Sequence, residues 1–257
     1  MNSHAFRFLT RRNALKLGFG GVATMSATGP ALAASTRSNE PAPLAKRSTV
    51  LFQGDSITDS WRDRKDSRVN HPQALGRGYP LMIASELMLR HPNLNLKFYN
   101  RGVSGNKVPN LDARWDKDCL DLEPDVLSIL IGVNDIWHKL NGKYDGTVKS
   151  YEEGFTALIE RTQKALPRTR LVICQPFVLR CGAVSGKWFP EFTERMEAAK
   201  RVADKAKAIW VPFQDAFNEQ LELGSSPKYW AEDGVHPSIA GHMLMAKTWL
   251  RAVLGEA

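Results

Sequence analysis

The chain has 257 residues, 43% hydrophobic and 24% charged, an ordinary globular balance with enough material for one sizeable core. Of its formal charge of +8, four units belong to Arg7, Arg11, Arg12 and Lys16, which precede Ala34 with no acid among them, so the remainder carries +4. No basic run is interleaved with aromatics, which argues against nucleic acid as a partner.

Residues 1–33 read as a twin-arginine export signal. Arg11-Arg12 precedes a weakly apolar run rich in Gly and Ala, which closes on the small-x-small pattern Ala31-Leu32-Ala33. The stretch from Leu17 to Ala33 is too short, and too rich in Gly, Ser, Thr and Pro, to span a bilayer. The expected partner of this leader is the twin-arginine export machinery, and the expected destination is the periplasm or beyond. Residues 34–48 read as a flexible linker and 49–257 as one domain. Cys119, Cys174 and Cys181 lack a close metal spacing. Cys174 falls in an apolar strand pattern as a core thiol, while a bridge from Cys181 to Cys119 or Cys174 stays open.

Within the domain, short apolar runs alternate with helical patterns. Strands are expected at Thr49–Phe52, Leu96–Tyr99, Val126–Ile131, Leu171–Cys174 and Ile209–Val211. Helices are expected near 78–90, over a polar stretch near 109–121, and along the stripe Tyr151, Phe155, Leu158, Ile159, Thr162 and Leu166. Two more follow, one marked by Phe192, Met196, Ala199 and Ala203. The last is marked by Ile239, Met243, Ala246, Leu250 and Val253, with Pro237 at its first position. Strands that are apolar throughout are buried on both faces. Alternating with helices, they specify an α/β three-layer sandwich around a five-stranded parallel sheet, flavodoxin-like in arrangement.

Chemistry-bearing residues fall where such a fold binds ligands, at the carboxyl ends of the strands. The first strand runs into Gly54-Asp55-Ser56, the second into Gly102-Val103-Ser104-Gly105-Asn106, and the third into Gly132-Val133-Asn134-Asp135. Asp233-Gly234-Val235-His236 precedes the last helix. A serine hydroxyl is a weak nucleophile and needs a base. His236 suits that role, because imidazole titrates near neutrality. Asp233, three residues earlier, can accept a hydrogen bond from Nδ1–H and turn Nε2 toward Ser56. Asp135–His138 is a rival dyad with the same spacing, although Asp135 is better placed to fix its own turn. His242 is expected on a helix surface. Acyl transfer also needs donors for an oxyanion, and the N–H groups of Ser56 and Gly105 with the Asn134 amide can supply them.

These four blocks, in this order, resemble the SGNH (GDSL) hydrolases. The resemblance covers residues 49–254 and implies Ser56 as nucleophile, His236 as base and Asp233 as its orienter. It also implies an oxyanion hole from Ser56, Gly105 and Asn134. Further segments are similar to bacterial acetylxylan and xylo-oligosaccharide esterases of that family, among them Gly76-Arg77-Gly78-Tyr79, Asn100-Arg101-Gly102, Ala113-Arg114-Trp115, Asp135-Ile136-Trp137 and His236-Pro237-Ser238-Ile239-Ala240-Gly241-His242. In those relatives a tryptophan directly precedes the aspartate. Here Trp230 stands three residues upstream of Asp233, with Ala231 and Glu232 between, so the acyl-side pocket and the sugar are left open.

The expected reaction is hydrolysis of short acyl esters, acetyl groups on carbohydrate above all, with no metal and no organic cofactor. Asp55, Asn106, Trp137 and Trp230 are the expected substrate contacts, and Trp61 and Trp188 are further loop tryptophans able to stack on sugar. A lysophospholipase or thioesterase is the alternative enzyme. A non-catalytic glycan-binding protein is the alternative outside catalysis. A nucleotide-binding flavodoxin relative is weaker, since the first loop has one glycine and no phosphate cradle. The sequence leaves homo-oligomer formation open.

Overall fold

The structure, a computed structural model, describes residues 41–255. The expected export leader and the first part of the expected linker lie outside the described residues. Five strands, β1 (Thr49–Gly54), β2 (Lys97–Asn100), β3 (Val126–Leu130), β4 (Arg170–Cys174) and β5 (Ile209–Val211), form one parallel sheet in the order β2-β1-β3-β4-β5. That order places a topological switch between β1 and β3, where the crossovers leave a crevice at the strands' carboxyl ends. Every residue of β3 is buried, including Ser128, whose hydroxyl accepts Trp249 Nε1–H at 3.0 Å.

Alternation within the strands distributes side chains to two helical layers. Val50, Phe52, Val126, Val172 and Val211 meet α3 (Tyr79–Arg90), α9 (Phe213–Glu222) and α11 (Ile239–Leu254). Leu51, Leu127, Ile129, Leu171 and Ile173 meet α4 (Val108–Asp112), α5 (Trp115–Asp118), α7 (Val148–Ala165) and α8 (Glu191–Ala206). Fully burying each large side chain in these layers is worth about 1.5–3 kcal/mol. The remaining helices are short: α1 (Ser56–Asp59), α2 (Pro72–Leu75), α6 (Val133–Leu140) and α10 (Pro227–Trp230).

Several expectations are corrected. Residues 41–48 are not a free linker. Leu44 is buried, Ala42 N–H donates to Val253 O at 3.2 Å, Arg47 N–H donates to Leu94 O at 2.7 Å, and Arg170 Nη1 donates to Ala42 O at 2.8 Å. The helix expected over 109–121 is broken at Arg114 (φ −123°, ψ 10°), whose guanidinium reaches Asn106 Oδ1 and Asp118 Oδ2. The last helix starts after Pro237, because Ser238 caps it through Gly241 N–H at 3.2 Å. Its buried face keeps the expected Ala246, Leu250 and Val253 but adds His242, Met245 and Trp249, and it leaves the expected Ile239 and Met243 exposed. Helices α6 and α9 have no counterpart among the expected elements. Cys119, Cys174 and Cys181 are free thiols, so neither bridge forms. Burial on β4 pushes the Cys174 thiol up to about 12.

Candidate active site

Ser56 opens α1 directly after β1, where the preceding Asp55 caps the helix by accepting Ile57 N–H at 3.0 Å. Its Oγ lies 2.9 Å from His236 Nε2, across 180 residues of sequence. The His236 Nδ1 lies 2.7 Å from Asp233 Oδ2. The other carboxylate oxygen, Oδ1, accepts the N–H groups of Val235 at 2.9 Å and His236 at 2.8 Å. One carboxylate therefore folds the turn and orients the ring it carries. Partial burial works against the Asp233 charge. The hydrogen bonds from His236 and Val235 outweigh it and hold this carboxyl below the ordinary range.

In the loop after β2, Gly105 adopts φ +80°, a left-handed conformation that favours glycine. A Cβ there would lie 3.7 Å from His138 Cε1, so the backbone angle and not crowding demands glycine. Asn134 sits in the first turn of α6 and its amide donates to Asn106 O at 3.2 Å. An amide NH2 carries two donors, so one remains for a ligand. Ser56, Gly105 and Asn134 thus come from the ends of β1, β2 and β3.

A residue that sequence reasoning placed near the site only as a polar neighbour joins these loops. Buried Asp59, at the end of α1, accepts Ser104 N–H at 2.9 Å and Ser104 Oγ–H at 2.8 Å through the same Oδ2 that accepts Arg64 Nε and Nη2 at 3.0 and 2.6 Å. Charge-assisted bonds of this kind are among the stronger ones. They tie the helix bearing Ser56 to the loop bearing Gly105. The signal lay inside the Gly54-Asp55-Ser56-Ile57-Thr58-Asp59 run, but its partner is 45 residues away.

Other expected site residues are placed differently. Asp55 is buried beneath Ser56 and is no substrate contact. Burial, with neighbouring Asp135 adding to it, raises its carboxyl to about 7, and its Oδ2 has no hydrogen-bond partner. Asp135 is likewise raised to about 6 by burial, against the opposing influence of Arg195. The Asn106 side chain is occupied by Arg114 Nε at 2.9 Å, although its carbonyl holds Asn134. Trp137 does border the site, its ring 5.9 Å from that of His236 and 5.6 Å from that of buried Trp188. Trp230 is packed away, donating Nε1–H to Ser225 Oγ at 2.7 Å and meeting Phe217 and Tyr229 edge-on. The rival dyad does not form, because His138 Nδ1 pairs with Lys107 Nζ at 3.3 Å. His242 is buried, not on the surface; it accepts Tyr79 N–H at Nδ1, and burial lowers its imidazole to about 4.

A cleft of about 840 Å³ opens beside Ser56 and His236, bordered by Trp61, Arg64, Arg77, Ser104, Pro237 and Ile239. Among the described residues no group of three or more His, Cys, Asp or Glu side chains is arranged to hold a metal ion. None of their helices is long and apolar enough to cross a membrane. What the arrangement offers is a hydroxyl joined through imidazole to a carboxylate, with Gly105 and Asn134 on the loops that follow the neighbouring strands. That is equipment for acyl transfer.

Comparison with known proteins agrees with this chemistry. Residues 52–244 match the GDSL-like lipase/acylhydrolase family. An acetylxylan esterase of Geobacillus stearothermophilus is 33% identical over 208 residues, spanning 79% of this chain and 93% of that protein. The crystal structure of Axe2, an acetylxylan esterase from Geobacillus stearothermophilus, superposes with a TM-score of 0.73 at 32% identity, covering 81% of this chain and 95% of that one. A protein described as a GDSL-like lipase from Parabacteroides merdae gives a TM-score of 0.81 at 46% identity, covering 84% of this chain and 99% of that one. With the family matched over most of its length and its parallel α/β sandwich shared with these structures, the chain belongs to the SGNH (GDSL-like) acylhydrolases and is a carboxylic ester hydrolase.

Proposed function

We propose that the protein removes short acyl groups, chiefly acetyl, from carbohydrate such as xylo-oligosaccharides, through a Ser56–His236–Asp233 triad. The observation that carries this reading is the continuous hydrogen-bonded line from Ser56 Oγ through His236 to Asp233, at 2.9 and 2.7 Å. Ser56 Oγ attacks the acetyl carbonyl while His236 Nε2 takes its proton, and Asp233 steadies the imidazolium. The oxyanion is met by the N–H groups of Ser56 and Gly105 and by the Asn134 amide. Collapse breaks the bond to the sugar oxygen, which receives the proton from His236 and leaves an acetyl-serine. Water, deprotonated by the same imidazole, then releases acetate and restores Ser56.

The substrate reading is supported by the acetylxylan esterase relatives, and the catalytic mutants of Axe2 include serine and histidine replacements by alanine. Export by the twin-arginine route remains part of the proposal and rests on the leader sequence of residues 1–33. A periplasmic or extracellular site of action would suit an enzyme of plant-polymer fragments.

The test is hydrolysis by residues 34–257 of 4-nitrophenyl acetate, butyrate and octanoate beside acetylated xylo-oligosaccharides, with Ser56→Ala as control. Acetate preference and release of acetate from the sugar, both lost in the variant, are expected. A preference for octanoate without sugar deacetylation would move the assignment to a lipid or thioester hydrolase. Full activity in Ser56→Ala would refute the nucleophile.

A further inference from the structure

We infer that Trp61 is a stacking platform for a pyranose ring of the leaving sugar, in a subsite shared with Ile239, Arg64 and Arg77; this rests on the carbohydrate reading above. The chain has seven tryptophans, and six have work in the fold. Trp115, Trp188, Trp230 and Trp249 donate their indole N–H groups to protein acceptors, while Trp137 packs on Trp188 and Trp210 lies beneath Lys200. Trp61 alone is open, at 85% exposure.

That exposure is held in place by strained backbone. Ser60 and Trp61 have consecutive left-handed conformations, φ 40° and 62°, which a bulky residue adopts only when its surroundings impose them. The turn is pinned by Arg77 N–H to Ser60 O at 2.8 Å, Arg62 N–H to Asp59 O at 3.0 Å and Arg62 Nε to Gly102 O at 2.8 Å. Gly76 also packs under it. A Cβ there would lie 2.6 Å from Asp59 O and 2.8 Å from Ser60 O. Nothing in the packing of the indole offsets this strain, so the indole's use lies outside the fold.

The position of the cleft identifies the occupant. Ser56 and His236 border it, but Gly105 and Asn134 do not. His236 protonates the departing oxygen, so a cleft on its side, bordered by neither Gly105 nor Asn134, receives the leaving group and not the acyl group. The flat apolar faces of Trp61 and Ile239, the latter 82% exposed, are mixed with the charged groups Asp63, Arg64 and Arg77 and the Ser104 hydroxyl. That mixture suits a ring with apolar faces and hydroxylated edges, whereas an acyl chain would cover Asp63 and Arg77 without offering them a polar partner. Arg64 joins the cleft to the reacting centre through Asp59, whose carboxylate also holds Ser104.

The experiment compares wild type, Trp61→Ala, Trp61→Phe and Ile239→Asn on acetylated xylo-oligosaccharides and on 4-nitrophenyl acetate. For Trp61→Ala the expected result is a fall of about tenfold or more in kcat/KM for the sugar ester relative to the aryl ester, through KM. The change corresponds to about 1.4 kcal/mol. Trp61→Phe should restore most of it, and Ile239→Asn should show a smaller fall in the same direction. In Ser56→Ala, xylotetraose should quench indole fluorescence, and the quench should vanish when Trp61→Phe is added. A wild-type enzyme that deacetylates the sugar, with Trp61→Ala keeping the wild-type ratio, would overturn the platform and leave the proposed function standing. A wild type inactive on the sugar would overturn both. Selective loss of 4-nitrophenyl octanoate hydrolysis in Trp61→Ala would instead make this an acyl-chain wall.

Discussion

The two flanks of His236 are built on opposite terms. On one, Trp137 leans on buried Trp188, which packs on Phe192 and donates its indole N–H to Ala183 O. Those aromatics serve the fold, and the site borrows a surface from them. On the other, Trp61 and Ile239 stand 85% and 82% exposed beside the cleft and contribute little to folding. The first flank is positioned by close packing and the second by a pinned turn. Substitution should therefore affect stability on one flank and substrate choice on the other.

The most severe perturbation lies between the flanks. Asp233→Asn should lower kcat by roughly 10,000-fold, since an amide cannot hold the His236 tautomer that faces Ser56; steady-state hydrolysis of 4-nitrophenyl acetate measures it. Next comes the packed flank, where Trp188→Ala should cost about 3–5 kcal/mol in denaturant unfolding, a typical large-to-small penalty in a core. Asn134→Ala should then lower kcat by roughly 100- to 1000-fold with little change in melting, as for the loss of one oxyanion donor.

A pH effect follows from the carboxyl beneath Ser56. With the Asp55 carboxyl raised from 3.8 to about 7, the folded state holds a proton that the unfolded chain releases. Its stabilising contribution is whole below the ordinary carboxylate range and is lost as pH rises toward about 7. Asp55→Asn keeps an oxygen to cap Ile57 and should flatten that slope in urea midpoints taken between pH 4 and 8. The smallest effect is expected on the open flank, with the opposite sign. Trp61→Gly should raise unfolding stability by up to about 1 kcal/mol, because glycine tolerates the left-handed turn. If Trp61→Gly were instead as damaging as Trp188→Ala, the two flanks would not differ in kind.

The sheet was legible because its strands are buried on both faces, so Val126–Leu130, interrupted only by Ser128, and Leu171–Cys174 announce themselves as apolar runs. Asp233 and His236 were legible because a three-residue spacing suffices to close their turn. Contacts whose partners are distant in sequence were not. Asp59 and Ser104, or His242 and Tyr79, show nothing at short range. Helical periodicity also misled in part of α11, where Ile239 and Met243 fit an apolar stripe but stand exposed, while His242 and Trp249 are buried. A stripe read from spacing alone gives the period and leaves the edges of the buried face to tertiary packing. The Asp55 reading failed for a related reason: a polar residue after a strand can point inward to cap as readily as outward to bind.

The strap formed by residues 41–48 sets where a handle can be attached. It leads into the amino end of β1, and its bonds to Leu94, Arg170 and Val253 fix it at the starts of the strands and the close of α11. Ser56 lies at the other end of β1, a strand's length away. A surface, resin or carrier joined ahead of Pro41 would therefore grip the molecule at its base and leave the cleft facing outward.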